Sequence, residues 1–282
     1  METVDLLAPA KINLSLDVIG KRINGYHDVR MIMQSISLAD QVRVTRRDHG
    51  VRITSNVYNI PLNDNNIAVK AWELMRKKFH LPGGLDIHLQ KEIPVEAGLA
   101  GGSTNAAAVL KGVNTIYNLG LSDKCLAEIA SNIGADVAFC VIGGTALAEG
   151  IGEILSPLPS LPEAWLVLVN PGFGVSTRDI YQLLDWKSIS RRPDTNALVQ
   201  AVKNADWHKV SLNMVNVLEE VTLKKYPELQ QIKKAFAEEG LYPLMSGSGP
   251  TVFGIADTYE KAVQAAEKVK NRWKIVLVAH TV

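Results

Sequence analysis

Hydrophobic and polar residues alternate near the start of the chain. Ile12, Leu14, Leu16 and Val18 fall on one face of an extended segment, and Lys11, Asn13, Ser15 and Asp17 on the other. Lys11–Ile19 therefore reads as a strand, preceded by another at Val4–Leu7, with Pro9 marking an edge or bend between them. Gln41–Arg46 and Val51–Thr54 alternate around Asp48-His49-Gly50, which predicts a hairpin. Asp64-Asn65-Asn66 then caps a helix from Ile67 to Phe79, stopped before Leu81-Pro82-Gly83-Gly84. Leu85, Ile87 and Leu89 alternate as a half-buried strand. An alanine-rich helix runs from Ala106 to Tyr117, and Leu126, Ile129, Ala130 and Ile133 keep helical spacing up to Gly134. Val141–Ala148 reads as edge strand and Gly150–Glu153 as a turn.

Pro157, Pro159 and Pro162 crowd one short segment, which predicts a boundary between domains 1–156 and 157–282. Beyond it Trp165–Val169 is a continuous apolar strand. Arg178–Leu184, Thr195–Lys203, Val215–Val221 and Leu229–Glu239 read as helices, the last closed by Gly240. Val252–Ile255, Tyr259–Asn271 and Ile275–Ala279 follow as strand, helix, strand. The second half is thus an α+β unit, a sheet with helices on one face. No internal repeat is visible.

Composition narrows the class. The 282 residues suit two domains, and 47% hydrophobic against 21% charged residues describes a globular chain. Thirty basic and 29 acidic residues leave a charge of +1, which argues against nucleic acid as a partner. No apolar run reaches the roughly 20 residues of a membrane span, so no membrane partner is expected. The acidic start Met1-Glu2-Thr3-Val4-Asp5 lacks the features of a signal peptide, which leaves the cytoplasm as the expected location. Cys125 and Cys140 stand apart among apolar neighbours and read as buried reduced thiols. The six histidines are scattered, with no spacing for a protein-held metal.

The chemistry concentrates in Pro94-Val95-Glu96-Ala97-Gly98-Leu99-Ala100-Gly101-Gly102-Ser103-Thr104, between a strand and the alanine-rich helix. Glycine lets backbone N–H groups approach a ligand closely, and a new helix offers unpaired N–H groups and a favourable dipole to an anion. Ser103 or Thr104 can cap that helix or add a hydroxyl to a phosphate or its cation. The stretch matches neither the P-loop nor the dinucleotide fingerprint. It reads as a phosphate cradle, or alternatively as a close-packed turn.

Other positions carry two readings each. Lys11 is a solvated lysine or points into a cleft beside Asn13. Tyr26-His27, after the turn signal Asn24-Gly25, is a surface loop or a flat platform suited to a heterocyclic base. Asp136, alone in Gly134-Ala135-Asp136-Val137-Ala138-Phe139-Cys140, is a helix cap or a buried carboxylate of functional weight. Met245-Ser246-Gly247-Ser248-Gly249-Pro250-Thr251 is a second small-residue loop able to bring N–H groups to a ligand.

Taken together and in this order, Pro9-Ala10-Lys11-Ile12-Asn13-Leu14, Gly20-Lys21-Arg22 to Gly25-Tyr26-His27, Pro94 to Ala107, Gly134-Ala135-Asp136-Val137 and Ser246-Gly247-Ser248-Gly249-Pro250 are specific. The chain resembles the GHMP kinase superfamily over nearly its whole length. Two departures stand out: Asn24 in place of Asp, and Ala100 in place of Gly. The resemblance implies a two-domain α+β GHMP kinase fold, ribosomal-S5-like at the N-terminus and ferredoxin-like at the C-terminus, with the active site in the cleft between them. It implies an ATP-dependent small-molecule kinase with Asp136 as catalytic base and Lys11 as its cationic partner. Pro94 to Thr104 would hold the phosphates of ATP, bridged by Mg2+, with Asn65 on the adenine side. The acceptor would carry a cytidine diphosphate group, its cytosine between Tyr26 and Tyr181, its polar edge read by His27 and its far end by Asn13. A monomer or homodimer is expected. The alternatives are another kinase of the superfamily, of the homoserine or phosphomevalonate type, and a non-catalytic binding module on the same fold.

Overall fold

The computed structural model describes residues 2–282. The chain opens with two long strands, β1 (Thr3–Lys21) and β2 (His27–Arg47), then β3 (Val51–Ser55), α1 (Ile67–Phe79) and β4 (Gly84–Gln90). Three helices follow, α2 (Gly101–Ile116), α3 (Asp123–Ala130) and α4 (Ala135–Ile142), before β5 (Thr145–Glu149), β6 (Ile154–Pro157) and β7 (Trp165–Asn170). Next come α5 (Thr177–Leu183), α6 (Thr195–Lys203), α7 (Trp207–Asn213), β8 (Val215–Asn216), α8 (Glu219–Lys225) and α9 (Glu228–Glu238). The chain closes with β9 (Tyr242–Met245), β10 (Val252–Ala256), α10 (Tyr259–Val269) and β11 (Ile275–His280). Two compact units are formed, and β1 and β2 each pass from one to the other.

The first unit comprises the residues up to Ala10, Leu38–Val95 and Ala100–Gly143. Here β4 pairs antiparallel with the end of β2 and parallel with β3. Val42, Val44, Leu85, Ile87 and Leu89 are all buried. The small residues of α2 let its axis come close to the sheet. A Cβ on Gly112 would lie 3.0 Å from Val44 and 3.2 Å from Leu6. On the other flank Trp72 of α1 is buried and its ring lies 5.8 Å from that of Tyr117. Asn66 caps α1 by accepting from the Ala68 N–H, as its position before the helix predicts.

The second unit comprises Lys11–Ser37, Glu96–Leu99 and Gly144–Val282. β8 pairs parallel with β1, β5 pairs antiparallel with β2, and β6 with β5. A separate four-stranded sheet has the order β11-β7-β10-β9, all neighbours antiparallel. Its strands are connected β7, helices, β9, β10, α10, β11, which is the β-α-β-β-α-β pattern of a ferredoxin-like fold. Gly254 in β10 leaves room for Phe236 and Leu241, each 3.0 Å from where a Cβ would stand. α9 ends as predicted on Gly240 at φ +69, with Gly240 N–H donating to Ala237 and Leu241 N–H to Phe236.

Several expectations are corrected. Val51–Ser55 does not form a hairpin with Gln41–Arg46, because β4 lies between them; a period of two marks a strand but not its neighbour. β2 begins at His27, not Gln41, since Met31–Ile36 is buried on both faces and so shows little alternation. Pro9 does not interrupt β1. α2 starts at Gly101 rather than Ala106, and α4 occupies the start of the segment read as strand from Val141. Val215–Val221 is not one helix: Val215 and Asn216 take strand partners on β1 before α8 begins. Tyr242–Met245 and Trp207–Asn213 are elements with too short an apolar pattern to stand out. Cys125 is exposed and Cys140 half-buried, so neither is the buried thiol that apolar neighbours suggested.

The closeness of α2 to its sheet can be tested at Gly112. Gly112→Val should cost about 1–3 kcal/mol by overpacking, read as a lower thermal midpoint. Gly112→Ala should cost less, because the gain in helix propensity of about 1 kcal/mol offsets the tighter contact.

Candidate active site

In the first unit the glycine-rich stretch ends in α2. The helix begins after Ala100, whose φ of +60 turns the chain sharply, and no side chain caps it. Ser103 and Thr104 are inside the helix, not at its cap, which corrects that part of the sequence reading. By helix geometry the first N–H groups lack carbonyl acceptors within the helix; the ladder begins with Thr104 N–H to the Ala100 carbonyl at 2.9 Å. Thr104 is buried and Ser103 half-buried, so Ser103 is the better placed hydroxyl for a ligand. Gly101 is glycine for space: a Cβ there would be 3.1 Å from both Ile93 and the Lys91 ammonium.

Along the same stretch Glu96, Gly98 and Ala100 all have left-handed backbone, at φ +53, +76 and +60. A backbone in which left-handed residues alternate with others can gather successive N–H groups on one side, as anion-binding nests do. Glu96 and Ala100 are not glycine, and each such residue costs about 1–2 kcal/mol in this region. The close-packed reading holds at Gly98 and Gly101, where a Cβ would meet the Ser246 carbonyl or Ile93 and Lys91, and it leaves room for a cradle at the start of α2.

Within the second unit the other small-residue loop packs backbone to backbone against residues Glu96–Leu99. A Cβ on Gly98 would lie 2.2 Å from the Ser246 carbonyl oxygen. Ser246 Oγ donates to the Gly98 carbonyl at 2.9 Å, and the Thr251 N–H to that of Ala97 at 3.3 Å. The Ser246–Pro250 loop is itself held by Asn216, whose amide donates to the carbonyls of Met245 and Gly247 at 2.8 and 2.7 Å. Ser248 hydrogen bonds Thr177 at the start of α5 at 2.9 Å. The Glu96 side chain lies against Gly174, where a Cβ would meet Oε2 at 2.3 Å.

Lys11 is 4% exposed, which overturns the solvated reading. Its backbone N–H donates to the Leu99 carbonyl and its Nζ to Asn13 Oδ1 at 2.8 Å. Asn13 is fully buried, donates to Met31 Sδ, and faces Gly247. The structure thus joins Lys11, Asn13 and the second loop in one unit. Asp136, in the other, stands half-buried in the first turn of α4, where helix N–H groups favour a negative charge. The cap of that helix is Gly134 with no side-chain bond, so Asp136 is not the capping residue.

Tyr26 and His27 part company. Tyr26 is exposed, at the tip of a turn in which its N–H donates to Asn24 Oδ1. His27 opens β2, is 93% removed from solvent, and packs its ring 5.3 Å from that of Tyr181. Its Nε2 is buried with no hydrogen-bond partner. Burial first, and then the positive charge of Lys21, lowers the imidazole pKa below its ordinary value, so the ring is neutral at pH 7. A neutral imidazole offers one donor and one acceptor, which suits the mixed edge of a nucleobase. Asn65 is exposed, its N–H held by Asn63. Among the described residues no cluster of three His, Cys, Asp or Glu side chains could hold a metal ion.

Sequence reasoning passed over three buried polar residues under the glycine stretch: Asp40, Lys91 and Asn105. A signal existed for Asp40, which shares a strand face with Ile36, Val42 and Val44.

A glycine-rich stretch opening an uncapped helix, a second small-residue loop and a ferredoxin-like sheet are features of one class of enzymes. The family model described as GHMP kinases N terminal domain matches residues 66–144, and that of GHMP kinases C terminal matches residues 198–275. The chain belongs to the GHMP kinase family. It is 50% identical over 277 residues to the 4-diphosphocytidyl-2-C-methyl-D-erythritol kinase of Alkaliphilus oremlandii, covering 97% of this chain and 95% of that one. A crystal structure of 4-(cytidine 5'-diphospho)-2C-methyl-D-erythritol kinase superposes with a TM-score of 0.84 at 33% identity over 99% of both chains. A homoserine kinase from Cytophaga hutchinsonii, at 20% identity and a TM-score of 0.80 over 100% of this chain and 95% of that one, shares the fold.

Two substitutions separate the roles within the stretch. Gly98→Ala should weaken Mg-ATP binding at least about tenfold, since both the left-handed φ and the Ser246 carbonyl oppose a Cβ. Ala100→Gly should leave binding intact and hold or raise the thermal midpoint, because it relieves a left-handed alanine. Calorimetric titration with Mg-ATP and a thermal melt read both.

Proposed function

We propose that the protein transfers the γ-phosphoryl group of ATP to the 2-hydroxyl of 4-diphosphocytidyl-2-C-methyl-D-erythritol, a step of the non-mevalonate isoprenoid precursor route. The observation that carries the substrate choice is His27, a buried neutral imidazole with an unpartnered Nε2 lying against Tyr181. A buried nitrogen left without a partner costs free energy, and the polar edge of a cytosine would satisfy it. Tyr26 and Tyr181 supply the aromatic faces in this reading, and Asn13 contacts the erythritol end. The kinship with the Alkaliphilus enzyme supports the same choice.

Phosphoryl transfer asks a protein mainly for positioning and charge stabilisation. The N–H groups at the start of α2 and along Pro94–Thr104 hold the ATP phosphates, with Ser103 as the nearest hydroxyl and Asn65 toward the adenine. Ser103 would offer an oxygen to a Mg2+ brought in with ATP, whose preference is for hard ligands and which would supply charge neutralisation on the phosphates. Asp136 takes the proton of the attacking hydroxyl, and Lys11, oriented by Asn13, stabilises the oxygen as negative charge develops on it. Such an enzyme works on small molecules in the cytoplasm.

The direct test is ADP release from Mg-ATP with four acceptors offered separately: the cytidyl compound, methylerythritol phosphate, homoserine and mevalonate phosphate. Turnover with the cytidyl compound alone is the expected result, and Asp136→Asn should cut kcat by roughly 10²–10⁴. Turnover with another acceptor only would overturn the assignment. The pH profile tests His27. KM for the cytidyl substrate should be level above pH 7 and rise as pH falls below 6.5 toward the depressed pKa, because protonation removes the ring's acceptor. His27→Ala should raise KM on the order of tenfold and flatten the profile.

A further inference from the structure

Beneath the glycine stretch, in the first unit, three buried side chains form a closed ring of hydrogen bonds. Asp40 is fully buried on the apolar face of β2. Its Oδ2 accepts from the Lys91 ammonium and from Asn105 Nδ2 at 2.8 Å, while Lys91 Nζ also donates to Asn105 Oδ1 at 3.1 Å. The other Asp40 oxygen, Oδ1, accepts the backbone N–H groups of Glu92 and Ile93 at 2.8 and 2.9 Å. The Asn56 side chain holds the backbone of Lys91 from outside, accepting its N–H at 2.8 Å and donating to its carbonyl at 3.2 Å.

The two carboxylate oxygens therefore grip different pieces of chain. Oδ1 holds Glu92 and Ile93, the residues that lead into Pro94. Oδ2 holds Asn105, in the first turns of α2. One side chain fixes both ends of the anion-binding stretch. Lys91 adds to this by placing its ammonium 3.1 Å from the position a Cβ of Gly101 would take, directly beneath the first helical residue. Burying an ion pair with an amide is expensive compared with packing apolar groups of the same size. Stability alone gives little reason for this trio at the base of the stretch.

We propose that Asp40, Lys91 and Asn105 are positioning residues that set the spacing between the two ends of the glycine stretch, and thereby the aim of its N–H groups at the ATP phosphates. The proposal rests on the reading of that stretch as the ATP phosphate site. It does not depend on which acceptor is phosphorylated.

Binding of Mg-ATP, measured by calorimetry with no acceptor present, is the readout, set beside the thermal midpoint of each variant. Asn105→Ala should weaken Mg-ATP binding on the order of tenfold while moving the midpoint by less than about 4 °C. Lys91→Met leaves Asp40 charged and unpaired, so both binding and midpoint should fall. The double variant D40N/K91M restores neutrality and keeps an oxygen for Glu92 and Ile93. Its midpoint should recover toward that of the native chain while its Mg-ATP affinity stays low. Recovery of affinity together with the midpoint would reduce the trio to a structural element and overturn the proposal. Unchanged affinity in Asn105→Ala would overturn it as well. Absence of Mg-ATP binding in the native protein would instead reject the phosphate-site reading itself.

Discussion

The contact on which most of this molecule's chemistry depends is one between main chains. Gly98 lies so near the Ser246 carbonyl that no side chain fits between them, and Ser246 returns a hydrogen bond to the Gly98 carbonyl. This junction fixes the middle of the glycine stretch to the Ser246–Pro250 loop, which in turn is fixed by Asn216 and Thr177. Further along, the stretch is turned by residues in left-handed backbone until its N–H groups run into α2. Stored strain of this kind persists only where surrounding bonds over-determine it.

Around Lys11, Asn13 and His27 the polar groups are organised by burial. Lys11 and Asn13 sit on the polar face of the strand, yet Lys11, Asn13, Ser15 and Asp17 are all buried. A buried ammonium needs a partner, and Asn13 supplies one at 2.8 Å. His27 shows the opposite condition, with a polar atom withdrawn from water and left unsatisfied. Groups in that state are rare in folded proteins, and they are informative when they stand beside an aromatic ring.

The fold was readable wherever one face of an element met solvent. α1, the strand at Leu85–Leu89 and α9 with its Gly240 closure were all plain from spacing and punctuation. Legibility failed where elements are buried on both sides, as in β2 from Met31 to Ile36, because no period survives there. It failed also where tertiary packing overrides propensity, as at Gly101 and Gly102, which are helical although glycine normally argues otherwise. The candidate residues were legible as motifs, since glycines, Tyr26-His27 and Asp136 are chemically conspicuous. Asp40, Lys91 and Asn105 were not, because nothing local in the sequence says that residues so far apart meet. Asp40 alone left a trace, as a carboxylate on an otherwise apolar strand face.

Between Pro94 and Thr104 the groups proposed to meet the ligand are mostly peptide N–H groups, and this has a consequence for how the protein can vary. A peptide N–H is common to nineteen of the twenty residue types, so replacing one side chain by another, proline apart, does not delete a donor. The stretch is insulated from most substitutions and exposed to a few that alter backbone shape. A survey by alanine replacement would find most of it silent, whatever it binds. The information it carries is written in torsion angles rather than in side chains.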